Sequence, residues 1–203
     1  MTMLQPGVHR SAGRLLLAAL LAALMTIPVS GVAMAGDGSD GGIGILTPRD
    51  VYIMDYVGDT ALEPNSTTAT YWNSPDVKVC PTTVPCSGGL TAPAYTTNYI
   101  FVTLRNPGPY GSGTDVGTLR LYFTTMGGSA VWPTDWTHLN STTVTVPPGV
   151  MTVVLPWTTS GPGLVSTLYR WVSTDDPMLY EGPNAYQNAR FNNNVAWKNF
   201  SVI

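Results

Sequence analysis

Charge is scarce in this chain. Its 203 residues hold nine Lys and Arg, twelve Asp and Glu, and two His, for a formal net charge of −3. Arg10 and Arg14 fall within the first 35 residues, so the rest of the chain carries seven basic groups against all twelve acidic ones. Nucleic acids and anionic membranes recruit clustered basic groups, and neither is expected as a partner. Histidine is scarcer still: past the first 35 residues only His138 remains. Asp135, three residues before it, makes no triad. The chain has no Gly-x-Ser-x-Gly elbow, no His-Glu-x-x-His and no phosphate loop, which removes the locally recognisable hydrolase and nucleotide-binding chemistries. A pair of carboxylates has no local signature. Asp176 and Glu181 therefore keep a secreted hydrolase as a lesser alternative.

Cysteine occurs twice, at Cys80 and Cys86 in "CPTTVPC". Two thiols and one histidine do not readily complete a zinc site, and an even, closely spaced pair in an exported chain predicts a disulfide. Apolar runs of spanning length are also missing. The run "LLLAALLAALMTIP" is shorter than the roughly 18–20 residues a bilayer span needs. It follows a stretch with two arginines and no acid, and ends at "VAMA", with small residues placed for cleavage after Ala35. Residues 1–35 read as a secretory signal peptide. No cysteine follows to accept a lipid, so a secreted or surface-exposed chain without a membrane span is expected.

What is abundant is Gly, Pro, Thr, Ser and Asn. Residues 36–49 are Gly- and Asp-rich and read as a flexible lead-in. Residues 50–203 read as one domain, with a regular core over 98–203. "DVYIMDY" (50–56) and "DVKV" (76–79) suit short strands. Ile100, Val102 and Leu104 alternate on one face, and Leu119, Leu121 and Phe123 on another, opposite Arg120 and Tyr122. Met151, Val153, Leu155 and Trp157 form a third row, and strands are expected near 141–149, 166–176 and 194–203. Period-2 alternation with turn signals between strands, and no run of helical period, predicts an antiparallel β-sandwich.

Two residue groups invite a site. Trp132 and Trp136 in "WPTDW" are either an exposed platform for a polysaccharide or a plug over an open end of the sandwich. Pro133 suits the first position of a helical turn that would bring the two indoles together, and the plug is the favoured alternative. Trp157, Trp171 and Trp197 are expected in the core or in cross-strand pairs. Tyr169 and Trp171 lie opposite Leu168 and Val172, which would leave one of these rows open to solvent. Asp175, Asp176 and Asn193 are candidate Ca²⁺ ligands at one pole, and Asp55, Asp59 and Glu63 form a second acidic group. Asp and Asn are also common turn residues. No cofactor is otherwise implied.

The segment "VTLRNPGPYGSGTDVGTLRLYF" resembles the strand, Asn-x-Gly turn and second strand of bacterial extracellular immunoglobulin-like domains of the cell-adhesion-related (CARDB-like) family. "PPGVMTVVLPWTTSGPG", "VSTDDP" and "NNNVAWKNFSVI" are similar to that family's later strands and its Asn-Asn corner. "VYIMDYVGDTALEP" and "WNSPDV" are similar to a prefix found on some such modules. The resemblance covers residues 98–203, about half the chain. It implies a seven-stranded immunoglobulin-like sandwich active in adhesion or assembly, and it carries no shared catalytic residues. Here "NAYQNARFNNN" replaces the acidic approach to the corner that the family commonly has, which weakens a metal there. The expected partner is a cell-surface or extracellular protein, reached through a sheet face, the polar loops or an edge strand along which residues 36–46 could pair. The alternative is a polysaccharide held on exposed tryptophans.

Overall fold

The computed structural model describes residues 47–125 and 127–203. The expected signal peptide, 1–35, and the expected lead-in as far as residue 46 lie outside the described residues. Eight strands are present among the described residues: β1 (Val77–Cys80), β2 (Thr91–Ala92), β3 (Thr97–Asn106), β4 (Asp115–Thr124), β5 (Thr137–Val146), β6 (Gly149–Thr158), β7 (Gly163–Val172) and β8 (Val195–Val202). One short helix, α1 (Ala185–Phe191), precedes β8.

The strands form two sheets, β1-β3-β6 and β2-β8-β7-β4-β5, antiparallel except that the two-residue β2 runs parallel to β8. Successive strands cross between sheets at β1–β2, β2–β3, β3–β4, β5–β6 and β6–β7. This is the ABE against GFC order of an immunoglobulin-like β-sandwich, with an extra strand at each edge of the second sheet. The period-2 rows do what alternation requires. Ile100, Val102 and Leu104 from one sheet and Leu119, Leu121, Tyr169, Trp171 and Phe200 from the other are buried in one shared core. On β6, Leu155 and Trp157 join that core while Val150 and Val154 face outward. Its edge is blunted, because Pro156 offers no N–H and its carbonyl accepts a bond of 3.2 Å from Asn140 Nδ2 on β5.

The segment before β1 departs from expectation. Only Tyr52 of 50–56 pairs with a strand, exchanging two 3.0 Å backbone bonds with Arg105. Val51 and Ile53 are drawn into the core, and Ile53 N donates instead to Asn193 O at 2.9 Å. The backbone bonds are thus split between β3 and the corner before β8, and no ladder forms. Asp76 closes the segment: it accepts both a bidentate pair of 2.8 Å bonds from Arg105 and the Met54 N–H. Residues 47–49, expected to be flexible, are tied down by Thr47 N to Tyr110 O and by Arg49 Nη1 to Ser112 O.

Three other expectations shift. Strand β5 starts earlier than 141, because Thr137 and His138 pair with β4 past a bulge between Leu121 and Tyr122. Strand β7 ends at Val172, since Asp115 fixes both Trp171 Nε1 and Ser173 Oγ at 2.8 Å and turns the chain away. Helix α1 forms where no helix was expected: Asn184 caps it by accepting from Gln187 N, and Ala185 and Ala189 bury its inner face. Cys80 and Cys86 are bonded to each other.

Candidate functional site

The five-stranded sheet is covered on both faces along β7 and the first half of β8, while outward residues of β4 and β5 such as Val116 and Arg120 stay exposed. Its inner face meets the core above. Its outer face carries Tyr122 from β4, Leu168 and Arg170 from β7, and Val195 and Trp197 from β8, and a second apolar layer closes over them. That layer is built from Tyr71, Ala130, Trp132, Trp136 and the inner face of α1. Both rows of β7 are therefore buried, Leu168, Tyr169 and Trp171 all at 0 % exposure. An open aromatic row on this strand is ruled out, because β7 is an interior strand covered twice.

Trp132 and Trp136 belong to this layer, each 7 % exposed. The two indoles do not make an exposed platform. They do not close an end of the sandwich either; they lie over the flank of the sheet. Trp132 stands edge-on to Tyr122 at 4.9 Å, Trp136 to Trp197 at 6.2 Å, and the Arg170 guanidinium lies 4.4 Å from the Trp132 ring centre. Arg170 is itself buried and pairs with Glu181. The loop is held by Trp132 N to Pro183 O at 2.7 Å and by Val131 N to Asp135 Oδ2 at 2.8 Å. The expected turn is present: Asp135 N donates to Val131 O at 2.9 Å and Trp136 N to Pro133 O at 3.1 Å, and the two indoles meet with ring centres 6.4 Å apart.

One aromatic of this neighbourhood remains open. Trp72 is 46 % exposed and sits edge-on to Trp197, with ring centres 6.3 Å apart. Its backbone is fixed beside β8 by Asn199 N to Trp72 O at 3.1 Å and Ser74 N to Trp197 O at 3.2 Å. Lys198 anchors the same segment, donating to Asn73 Oδ1 and Ser74 O; burial, with Lys78 adding to it, lowers its pKa. Trp72, Gly128, Asn184, Tyr186, Trp197 and Asn199 line a groove of about 370 Å³. Trp72 could not be singled out from sequence. It lies in the irregular "YWNSP", and only the fold places it against β8 and α1, some hundred residues later.

The acidic candidates resolve differently. Asp175 has an exposed side chain, while Asp176 and Asn193 are buried. Asp176 Oδ2 accepts from Val51 N at 2.8 Å, and Asn193 Nδ2 donates to Asp50 Oδ1 and Ala61 O. Glu63 Oε1 accepts from Asn193 N at 2.7 Å. These polar groups are used to staple the 50–63 segment to the corner before β8. Burial pushes the Asp176 carboxyl up to about 8 and Glu63 up to about 7, and Asp50 adds to both. Asp55 is fully buried without a hydrogen bond to its carboxylate, and burial, then Asp59 and Asp76, raise its pKa well above the usual range. Asp59 is occupied by the N–H groups of Asp55 and Ala61 and by Asn65. Among the described residues no three carboxylate, imidazole or thiol groups gather in a way that would hold a metal ion. Asp176 and Glu181 are engaged separately, with Val51 and Arg170. His138 is exposed and rests edge-on to Tyr122.

No protein family profile matches the chain, and no curated protein matches it. Among solved structures it is similar to the CARDB domain of a Pyrococcus furiosus protein, solved in complex with di-metal ions. Identity is 19 %, covering 66 % of this chain and 97 % of that one, with a TM-score of 0.39. It is also similar to β-glucosidases from Listeria innocua (14 % identity, 62 % of this chain, 15 % of that one, TM-score 0.35) and Erythrobacter marinus (13 %, 75 %, 21 %, 0.36). Likeness at this level says nothing of ligand or activity. The class that the strand order itself defines is an immunoglobulin-like module. No helix among the described residues is long and apolar enough to cross a membrane.

Proposed function

We propose that this chain is a non-catalytic, immunoglobulin-like binding module, exported by its leader, that serves adhesion or assembly outside the cell through the groove beside Trp72. The observation that supports this is the contrast within one aromatic neighbourhood. Trp132, Trp136 and Trp197 are sealed, whereas Trp72 keeps nearly half its surface open on a backbone pinned to β8. An exposed, pre-positioned indole is a typical binding anchor, since little side-chain freedom is lost when a partner covers it.

The test is retention of the fluorescently labelled chain on intact bacterial cells, read by flow cytometry, against Trp72→Ala. The substitution is expected to lower retention at least tenfold while leaving the thermal midpoint close to that of the parent. Equal retention of the two chains, or no retention of the parent, would overturn the proposal.

A further inference from the structure

We infer that the Trp72 groove takes the face of a pyranose ring in a neutral polysaccharide. This rests on the groove being the binding face, and it adds what the groove selects. Three properties of the lining carry it.

The first is the open indole. The axial C–H groups of a pyranose form an apolar face that packs on an aromatic plane, and Trp72 offers such a ring on a backbone fixed beside β8, edge-on to Trp197. The second is a pair of held amides. Asn199 Oδ1 accepts from Ser166 Oγ at 2.7 Å and from Trp197 Nε1 at 3.0 Å. With its oxygen doubly engaged, the amide is held, and among the described residues its Nδ2 has no partner. Asn184 Oδ1 accepts one bond of 3.2 Å, from Gln187 N at the start of α1, and among the described residues its Nδ2 has no partner. Two amide side chains in the lining of one groove with Trp72 suit the hydroxyl oxygens around a sugar ring, which accept hydrogen bonds as readily as they donate them.

The third property is charge. None of the six lining residues is an Asp, Glu, Lys, Arg or His. A phosphate or sulfate ligand would call for Arg or Lys in the lining, and an acidic polysaccharide would meet the excess of acidic groups past the leader. The groove volume of about 370 Å³ lies at the low end for small-molecule sites. That fits a short stretch of sugar chain better than a large apolar ligand. Tyr186, whose hydroxyl donates to Thr67 O at 3.2 Å, closes the α1 side of the groove.

The experiment is affinity electrophoresis of the full chain, produced with its leader in place, through gels containing laminarin, xyloglucan, galactomannan or dextran, with alginate as the acidic comparison. Retardation by at least one neutral polysaccharide and not by alginate is expected. Trp72→Ala should weaken it at least tenfold, Asn199→Ala severalfold, and Trp72→Phe should restore part of it. A parent chain that none of the four neutral polymers retards, or retardation unchanged in Trp72→Ala, overturns the inference. If the gels show nothing but Trp72→Ala still abolishes retention on cells, the groove remains the binding face and its partner is a protein.

Discussion

Trp132→Ala separates a structural lid from a ligand platform, and the structure sets the size of the effect. The indole is 7 % exposed, lies edge-on to Tyr122 at 4.9 Å and carries the Arg170 guanidinium 4.4 Å from its centre. Truncating a buried Trp costs about 3–5 kcal/mol, because both transfer energy and packing are lost over a partly collapsed cavity. Arg170 keeps Glu181, so its charge is not left wholly unpaired, and a loss of about 4 kcal/mol is expected. With a urea m-value of about 2 kcal/mol/M, the midpoint falls by about 2 M. Trp72→Ala is the internal comparison. Half open already, it should cost no more than about 1 kcal/mol. If Trp132→Ala fails to fold, Trp132→Phe keeps a ring under Arg170 and against Tyr122 and should lose about half as much. A Trp132→Ala midpoint at the parent value, or Trp72→Ala costing as much as Trp132→Ala, would refute the assignment of Trp132 to a sealed layer.

Stability should fall as pH rises through the neutral range. Burial lifts Glu63 to about 7 and Asp176 to about 8 from ordinary carboxylate values of 4.5 and 3.8, so between those limits the folded state holds protons that the unfolded chain has released. The contribution is complete below the unfolded values and is lost as pH climbs through the folded ones. The thermal midpoint at pH 5 should exceed that at pH 8.5, and Glu63→Gln with Asp176→Asn should flatten the difference; a midpoint that rises from pH 5 to 8.5 contradicts this. Gly117→Ala should destabilise by about 1–3 kcal/mol in urea titrations, or more. A Cβ there would lie 2.6 Å from Trp171 Cζ2 and 2.8 Å from Val172 O, and Trp171 is pinned by Asp115. An unchanged midpoint would mean that Trp171 can retreat. Replacing Cys80 and Cys86 by Ser should cost about 2 kcal/mol, the chain-entropy value for so small a ring. Equal stability of the oxidised and double-Ser chains would show that the unfolded loop is already constrained.

Much of the sandwich was legible in the sequence because a strand with one face in a core writes its burial in period two. Ile100, Val102 and Leu104, the row Leu119–Leu121, and Leu155–Trp157 were placed on their buried faces by alternation alone, and all pack in the one core. The disulfide follows from two cysteines six residues apart. Local spacing misled where burial came from distant chain. It left a row of β7 open, although loops and a helix far along the chain cover that face. It drew 50–56 as a strand, although Asn193 and Asp176 compete for its backbone. It gave α1 no notice, because seven residues are too few to display a helical period.

The candidate site lay beyond local reading altogether. Sequence pointed at Trp132 and Trp136, the conspicuous pair, and the fold sealed both and opened Trp72 instead. The sequence by itself determined the alternating strands, the cysteine staple, the excess of acid over base past residue 35 and the absence of recognisable catalytic motifs, since each is a property of neighbours along the chain. Tertiary structure decided which tryptophan faces water. Exposure is set by what packs against a side chain from elsewhere, and for Trp72 that means β8 and α1, joined to it only through the folded sheet.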